Sequence, residues 1–335
     1  MIDISNLETL KQYLLDRGIS KADDDCRIDY CGGGVSGTVA FVQINGRDMI
    51  IKQALAKLKV AEDWQCDPNR MQIEMKSNDI YHKLVPDNAP EVYFYDHDNY
   101  ILGRAAAPEH CVMWKSDLLG GILDFDVAEK VIYSLVTVHN ECSRDKQAAE
   151  DFADKAIFYD LRIAPYIEFI LKKHPQLTDF TKPIIAELMD SAITLIHGDF
   201  SPKNIMLDKR KVYIMDFEVA HYGHPSFDLA FFSTHFVLKS VKNRQFGAVY
   251  LDMLNYMLGI YFDRVDCMDK TALENSYVRL LSLIMIARVD GKSPAEYLTD
   301  GGDKELMRSM AFEIINRNVT TIKDMLALIR KNIEV

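Results

Sequence analysis

The chain has 335 residues, of which 48% are hydrophobic and 27% charged, a composition typical of a globular protein. Its formal net charge of −11 argues against nucleic acid or an anionic membrane surface as the main partner, because binding to either needs a basic face. No apolar stretch approaches the ~20 residues that span a bilayer. The six cysteines show no C-x-x-C spacing, so we expect a cytoplasmic protein with reduced thiols.

Residues 1–105 are predicted to form a small, β-rich lobe. An amphipathic helix is expected to open after Asp3 or Ser5. Five segments rich in Val, Ile, Phe and Tyr predict strands, and a helix with apolar periodicity follows the third of them. Asn45-Gly46 favours a tight hairpin, because both turn positions need positive φ. The predicted strands are Arg27–Cys31, Val39–Ile44, Asp48–Lys52, Glu91–Tyr95 and Tyr100–Gly103, and the inserted helix is Arg70–Lys83.

Residues 106–335 are predicted to form a larger helical lobe, with the polar segment Gly103–Glu109 as the hinge. The predicted helices are Val127–Cys142, Ile163–His174, Pro183–Ser191, Asp228–Ser240, Gly247–Phe262, Leu273–Arg288 and Lys304–Asn332. One β interruption is predicted, with strands at Thr194–Ile196, Ile205–Leu207 and Lys211–Met215. A sheet-rich lobe followed by a helix-rich lobe indicates a two-lobe α+β fold.

A glycine motif, G-x-G-x-x-G, follows the first predicted strand. Its glycines are Gly32, Gly34 and Gly37, with Gly33 between the first two. A dinucleotide-binding turn would open a helix, whereas a kinase glycine loop joins two antiparallel strands. Here the β-rich segment Val39–Ile44 follows, which favours a loop whose backbone N–H groups bind phosphate. A turn with a purely structural role is the alternative.

Lys52 ends an apolar run, Met49-Ile50-Ile51-Lys52, similar in form to the V-A-I-K strand that holds nucleotide phosphates. We expect Lys52 to bind the phosphates and Glu74, on the predicted helix Arg70–Lys83, to pair with it. Gly103, at the start of the predicted hinge, is a further nucleotide-binding candidate. The alternatives are a solvated surface lysine and an exposed helix carboxylate.

The most specific pattern is His197-Gly198-Asp199-Phe200-Ser201-Pro202-Lys203-Asn204, followed by Asp216-Phe217-Glu218. The spacing H-x-D-x-x-x-x-N with a later, strand-borne aspartate matches a kinase catalytic loop and metal-binding aspartate. Asp199 is therefore the expected catalytic base, and Asn204 and Asp216 are the expected Mg²⁺ ligands. His197 is expected to orient the loop. Glu218 is a candidate for the metal, for the acceptor or for bracing the loop.

These motifs, with Pro225-Ser226-Phe227-Asp228-Leu229, resemble the aminoglycoside phosphotransferase/choline kinase superfamily. The resemblance, over roughly Ile28 to Leu298, implies a protein-kinase-like fold, ATP and Mg²⁺ as cofactors, and a small hydroxylated acceptor. It also implies that Asp228 braces the catalytic loop. Local segments are similar to methylthioribose kinase: residues 51–55, Trp64 to Glu74, Trp114-Lys115 and residues 216–223.

The acceptor is predicted from the residues expected near the catalytic loop. Three of them are basic, which would repel a polycation and suits a neutral or anionic, sugar-like acceptor. The alternative acceptor is an aminoglycoside or a choline-type compound. The alternatives to a kinase are a catalytically inactive nucleotide-binding scaffold and a glycine-loop dehydrogenase. Trp114 is alternatively a core aromatic, and Arg288 a surface-helix residue. The acceptor candidates are Trp114, Lys115, Arg162, Glu218, His221, Tyr222 and Arg288.

Overall fold

The computed structural model describes residues 2–32, 37–54 and 67–333. Gly33 and Gly34 of the glycine motif, and Trp64, lie outside these residues. The chain divides into two compact units, the first formed by residues 1–111 with 213–218 and the second by residues 112–212 with 219–335. The predicted division after residue 105 falls slightly earlier and does not include the return of residues 213–218 to the first unit.

The first unit is built on a five-stranded antiparallel sheet with the order β1-β2-β3-β5-β4. The predicted hairpin joins β2 and β3, where Asn45 and Gly46 have φ of 50° and 80°. Gly103 lies inside β5 opposite Ile51, so the predicted hinge begins within a strand. The strands are β1 (Cys26–Tyr30), β2 (Gly37–Ile44), β3 (Arg47–Ala54), β4 (Val92–Asp96) and β5 (Ile101–Ala105).

Two helices complete the described part of this unit, α1 (Leu7–Asp16) and α2 (Arg70–Leu84). The start of α1 differs from the prediction: Asn6 is the N-cap, and its side-chain oxygen accepts a hydrogen bond from Thr9 N at 3.1 Å. The apolar stripe of α1 packs on one face of the sheet. This core contains Ile4, Leu10, Tyr13, Leu14, Ala40, Val42, Ile44, Met49, Ile51 and Ile101.

The segment Tyr213–Glu218 belongs to the first unit because of its packing, although its neighbours in sequence lie in the second. The ring of Phe217 is fully buried and lies 4.6 Å from that of Tyr81 on α2. The backbone N–H of Ile214 donates to Asn88 O at 2.8 Å. Sequence order alone does not reveal such a return, because it depends on contacts between distant segments.

The second unit consists mainly of helices. No helix in the described part of the chain is long and apolar enough to cross a membrane. Its α-helices are α3 (Trp114–Leu119), α4 (Phe125–Cys142), α5 (Lys146–Asp151), α6 (Ala156–Phe158), α7 (Thr178–Asp190), α8 (Ser226–Lys242), α9 (Gly247–Arg264), α10 (Lys270–Asp290), α11 (Gly301–Asn316) and α12 (Ile322–Ile333). A π-helix, Tyr159–Glu168, continues α6, so the helix predicted to start at Ile163 begins earlier.

The strands of this unit are short. β7 (Thr194–Ile196) pairs with β10 (His221–Gly223), and β6 (Val112–Met113) pairs with β8 (Ile205–Asp208). The prediction missed β6 and β10, which are too short to show an alternating pattern. The remaining strand, β9 (Lys211–Ile214), contains the point where the chain leaves this unit.

The single helix predicted over Lys304–Asn332 is wrong: α11 ends at Asn316 and α12 begins at Ile322. Asn318 has a φ of 51°, and Val319 N donates to Ile314 O across the end of α11, as in a Schellman motif. Thr321 then caps α12, accepting a hydrogen bond from Asp324 N at 3.2 Å. Apolar residues recur at helical spacing on both sides of this break, and for that reason the sequence predicts one continuous helix.

The core of the second unit surrounds α8, every residue of which is buried from Ser226 to Val241. Trp114, with 1% of its surface exposed, packs against Phe232 and Phe236 of α8 at ring distances of 6.0 and 5.7 Å. Trp114 is therefore a core aromatic. This is the alternative interpretation given above, in place of a role in acceptor binding.

Candidate active site

Lys52 is the centre of a buried ionic cluster in the first unit. Strand β3 directs its side chain to one face of the sheet, where only 6% of the residue is exposed. Its ammonium group donates to Glu74 Oε2 at 2.7 Å and to Asp216 Oδ1 at 2.6 Å. The predicted pair between Lys52 and Glu74 is therefore present, and neither residue is the solvated surface group of the alternative interpretation.

Three carboxylates, Glu74, Asp216 and Glu218, form what we call the carboxylate cluster. One oxygen from each lies within 4.8 Å of the others. Glu218 also contacts Arg70, a fully buried residue of α2. The distance from Arg70 Nε to Glu218 Oε2 is 3.3 Å. Carboxylate oxygens at this spacing are the ligand type that Mg²⁺ prefers.

The charges of the cluster depend on one another. Burial, together with the charges of Asp216 and Glu218, raises the pKa of Glu74, although Lys52 acts in the opposite direction. Burial alone would lower the pKa of Lys52, but the charges of Asp216 and Glu74 outweigh it and raise the pKa. Lys52 therefore stays charged and holds Asp216 in place. Asp216 has a φ of 70°, a left-handed conformation that aspartate tolerates better than most residues.

The described glycines of the nucleotide motif have different surroundings. Gly32 is open to solvent, and nothing would meet a side chain there. At Gly37, a Cβ would lie 2.6 Å from Gln53 O, so the close pairing of β2 and β3 requires glycine. At Gly103 a Cβ would overlap the ring of Phe94, which gives that glycine a packing role within the sheet.

The predicted catalytic loop of the second unit is anchored by Asp228, at the start of α8. Both carboxylate oxygens accept backbone hydrogen bonds, from His197 N at 2.7 Å and Gly198 N at 2.9 Å. His139 Nε2 lies 3.3 Å from the same carboxylate. Asp228 is fully buried; burial alone would raise its pKa, but the hydrogen bond and charge of His139 and the N–H of His197 lower it.

Gly198 requires glycine for two reasons. Its φ is 74°, in the left-handed region, and a Cβ would overlap the backbone carbonyl of Val219. This conformation reverses the chain between His197 and Asp199. His197 then accepts a hydrogen bond on Nδ1 from Asp199 N at 3.2 Å, so its ring contacts the loop backbone.

The Asp199 carboxylate has three neighbouring donors, all in the second unit. Asn204 Nδ2 donates to Oδ2 at 2.9 Å, which leaves the amide oxygen of Asn204 as its atom for a metal. Lys203 Nζ lies 2.9 Å from Oδ2, and Arg162 Nη2 lies 3.1 Å from Oδ1. Arg162 also donates from Nε to Gly198 O at 2.6 Å. Two cationic side chains therefore lie at ion-pair distance from the Asp199 carboxylate.

The other acceptor candidates separate into different environments. His221 lies in β10, stacked on Phe158, and burial lowers its pKa to about 4, so it is a neutral core residue. Tyr222 donates to Cys142 O at 3.1 Å and is also internal. Arg288, predicted alternatively as a surface residue, has only 9% exposure and donates to Tyr166 OH at 3.2 Å.

The sequence interpretation missed four side chains. Lys203 stood in the loop motif itself, where its position four residues after Asp199 could have indicated the contact. Lys239 follows the apolar run Phe236-Val237-Leu238 of α8, which could have indicated a buried position. Arg70 and Arg104 gave no such signal; Arg104 on β5 is buried, and Nε and Nη1 have no hydrogen-bond partner among the described residues.

The chain belongs to the phosphotransferase enzyme family, whose sequence model matches residues 30–253. The prediction of a phosphotransferase is therefore confirmed.

Two relatives confirm the predicted local resemblance to methylthioribose kinase. Methylthioribose kinase 2 from Oryza sativa subsp. japonica is 25% identical over 244 residues, covering 64% of this chain and 57% of the rice enzyme. Methylthioribose kinase from Bacillus cereus (strain G9842) is 25% identical over 285 residues, covering 71% of this chain and 67% of the bacterial enzyme. The chain thus spans less than two thirds of the rice relative.

Two solved structures confirm the predicted fold class. Choline kinase from Cryptosporidium parvum Iowa II aligns with a TM-score of 0.55 at 11% identity, over 96% of this chain and 99% of that chain. A macrolide 2′-phosphotransferase from Brachybacterium faecium aligns with a TM-score of 0.52 at 15% identity, over 90% and 97% of the two chains. Both support the predicted α+β, protein-kinase-like fold.

Replacing the loop anchor by Asp228→Ala should lower the free energy of unfolding by about 3–5 kcal/mol, because two buried N–H groups lose a charged acceptor. Urea unfolding followed by circular dichroism measures this. The folded pKa of Asp228 lies below that of the unfolded chain, so its contribution is complete above about pH 4 and is lost only as the pH falls further. The difference in the free energy of unfolding between wild type and Asp228→Ala should therefore become smaller only at acidic pH.

Asp252→Ala is the matched control, because Asp252 forms an exposed ion pair with Arg330 on the surface of the same unit. It should cost less than about 1 kcal/mol. Equal losses for the two variants would contradict the anchoring role of Asp228.

Proposed function

We propose that the chain is an ATP- and Mg²⁺-dependent kinase that transfers the γ-phosphoryl group to a hydroxyl of a small, sugar-like molecule. The observation that carries this proposal is the buried Lys52 bound to Glu74 and Asp216 at 2.7 and 2.6 Å. A strand lysine paired with a helix glutamate, beside a metal-binding aspartate, is the arrangement that kinases require for activity. Family membership is consistent with it.

In this proposal Lys52 and the glycine motif (Gly32, Gly33, Gly34 and Gly37) hold the triphosphate. Asp216 and Asn204 hold magnesium through side-chain oxygens, and Glu218 is the third candidate ligand. Bound magnesium would neutralise charge on the phosphates and orient them for in-line transfer. Lys52 positions Asp216 through a hydrogen bond, and Arg70 does the same for Glu218.

Asp199 is proposed to orient the acceptor hydroxyl and to accept its proton. Arg162 and Lys203 contact the two oxygens of the carboxylate, which fixes its direction. The backbone beneath it is fixed by Asp228. Rate enhancement would then come mainly from positioning and charge stabilisation, since phosphoryl transfer asks little covalent chemistry of the protein.

The cations beside Asp199 also bear on the acceptor. Arg162 and Lys203 would repel aminoglycosides or choline, which are cationic. A neutral or anionic sugar-like acceptor suits them better, and the methylthioribose kinase relatives make methylthioribose the first compound to test.

The direct test is a screen of hydroxylated metabolites, methylthioribose and aminoglycosides for acceptor-dependent ADP release with ATP and Mg²⁺. Release with at least one sugar-like compound would support the proposal. ATP binding without ADP release for any acceptor would favour the inactive scaffold, and turnover of aminoglycosides or choline alone would overturn the acceptor class.

Asp199→Asn should lower turnover by about 10²-fold or more, the usual contribution of a positioned general base, while the Kd for ATP stays unchanged. Steady-state ADP release and titration calorimetry measure the two effects. Asp160→Asn, at an exposed position on the π-helix that carries Arg162, is the control and should be fully active. Wild-type turnover in Asp199→Asn would remove that residue from the mechanism.

Lys52→Met should raise the Kd for ATP in the presence of Mg²⁺ about 10- to 100-fold, because a charge-assisted contact to phosphate is lost. Lys83→Met, at an exposed position on α2, should leave the Kd unchanged. If titration calorimetry gave the same Kd for both variants, Lys52 would not contact the nucleotide.

A further inference from the structure

Lys239 is a wholly buried lysine in the last turn of α8. Its ammonium group donates to His235 O at 3.3 Å and lies 5.2 Å from the ring centre of Tyr297. Among the described residues no carboxylate lies within ion-pair distance of it. A buried ammonium without a negative partner is costly to the folded state. Burial, followed by the charges of Lys115 and Arg288, lowers the pKa of Lys239 to about 7, although the charge of Glu296 acts in the opposite direction.

Two further buried donors lie in the same part of the second unit. Arg288 is 9% exposed, and Nη1 donates to Tyr166 OH and to Ser293 O, but Nε has no hydrogen-bond partner within the described part of the chain. The hydroxyl of Tyr297 is buried and likewise has no partner there. Buried polar atoms are nearly always satisfied, so each of these atoms needs an explanation.

The positive charge at this place belongs to a larger group. We call Lys115, Arg162, Lys203, Lys239 and Arg288 the basic cluster. Four of its members act on one imidazole: burial, then the charges of Lys239, Arg288, Lys203 and Lys115, lower the pKa of His235 well below its usual range. In a chain with a net charge of −11, such a local excess of cations does not follow from composition.

The basic cluster extends to the predicted catalytic carboxylate. The guanidinium groups of Arg162 and Arg288 lie 5.9 and 5.8 Å from the ring centre of Tyr166. Arg162 in turn lies 3.1 Å from Asp199. The carboxylates paired with cluster members in the described residues are Asp199, with Arg162 and Lys203, and Glu296, with Lys115. Lys239 and Arg288 have no carboxylate at ion-pair distance among the described residues, and Glu296, whose charge acts on both, is already paired with Lys115.

We propose that the acceptor carries an oxyanion, a carboxylate or a phosphate, which binds to Lys239, Arg288 and the Tyr297 hydroxyl. An anion there would supply an acceptor to three buried donors and compensate two charges. The inference rests on the kinase activity proposed above and narrows its acceptor to sugar acids or sugar phosphates. Methylthioribose, which is neutral, lacks such a group.

The test compares one sugar in three forms, ribose, ribonate and ribose 5-phosphate, as acceptors for ADP release with ATP and Mg²⁺. At least one anionic form should have a kcat/KM about 10- to 100-fold above that of ribose. Comparing ribonate with ribose 5-phosphate identifies which oxyanion is bound. A kcat/KM for ribose equal to or above both anionic forms would overturn the inference and leave the kinase proposal intact.

Variants assign the effect to the named residues. Lys239→Met should raise the KM for the preferred anion about 10- to 100-fold and leave the KM for ATP unchanged. Tyr297→Phe, which removes only a hydroxyl, should raise the KM for the anion by a smaller factor. This variant keeps the test valid if Lys239→Met does not fold. Lys242→Met, exposed on the same helix, is the control and should match wild type. An unchanged KM in both Lys239→Met and Tyr297→Phe would overturn the assignment.

If none of the three sugars gives ADP release, the kinase proposal still depends on the wider acceptor screen, and the oxyanion site is then decided by binding. Ribonate or ribose 5-phosphate should raise the melting temperature of wild type, and Lys239→Met should abolish the shift. Equal shifts in wild type and variant, or none in wild type with either anion, would overturn the inference.

Discussion

One buried carboxylate holds the backbone on which the predicted chemistry of the second unit depends. Asp228 accepts hydrogen bonds from His197 and Gly198, and neither N–H can turn to water, because both are buried. Gly198 adds a left-handed turn that a side chain would block. The backbone therefore sets the direction of the Asp199 side chain. Arg162 and Lys203 then add contacts to its carboxylate. Asp228 lies on α8, whose residues are buried from Ser226 to Val241. The loop is therefore attached to a rigid element of the core.

The two units manage charge in opposite ways. In the first unit, Lys52 and Arg70 each contact members of the carboxylate cluster, so buried charges of opposite sign lie at ion-pair distance. In the second unit, Lys239 and Arg288 are buried cations without such partners among the described residues. Desolvation is costly for any buried ion unless geometry and hydrogen bonds compensate. The first arrangement is already compensated within the protein, whereas the proposed oxyanion would compensate the second.

Much of the first unit could be predicted because its signals are local. Alternating apolar residues give the strands, Asn45-Gly46 gives the hairpin, and a strand lysine with a helix glutamate gives the Lys52–Glu74 pair. The spacing from His197 to Asn204, with the later aspartate, predicts a catalytic loop for the same reason, because it uses only residue type and distance along the chain.

The features that were missed depend on contacts between distant segments. Trp114 beside Lys115 suggested a ligand site, yet its environment is set by Phe232 and Phe236, far along the chain. Tyr213–Glu218 belongs to the first unit only through contacts such as Phe217 with Tyr81. The break after Asn316 depends on the left-handed φ of Asn318, which helical periodicity does not report.

The central claim, that Asp228 fixes the backbone of the predicted catalytic loop, is tested most directly by amide hydrogen exchange at His197 and Gly198, resolved by NMR. Both N–H groups donate to a buried carboxylate, so their exchange should require opening of the core around α8. We expect protection comparable to that of the amides of the buried strand β7. Exchange at His197 and Gly198 as fast as in an exposed loop, with β7 still protected, would contradict the claim.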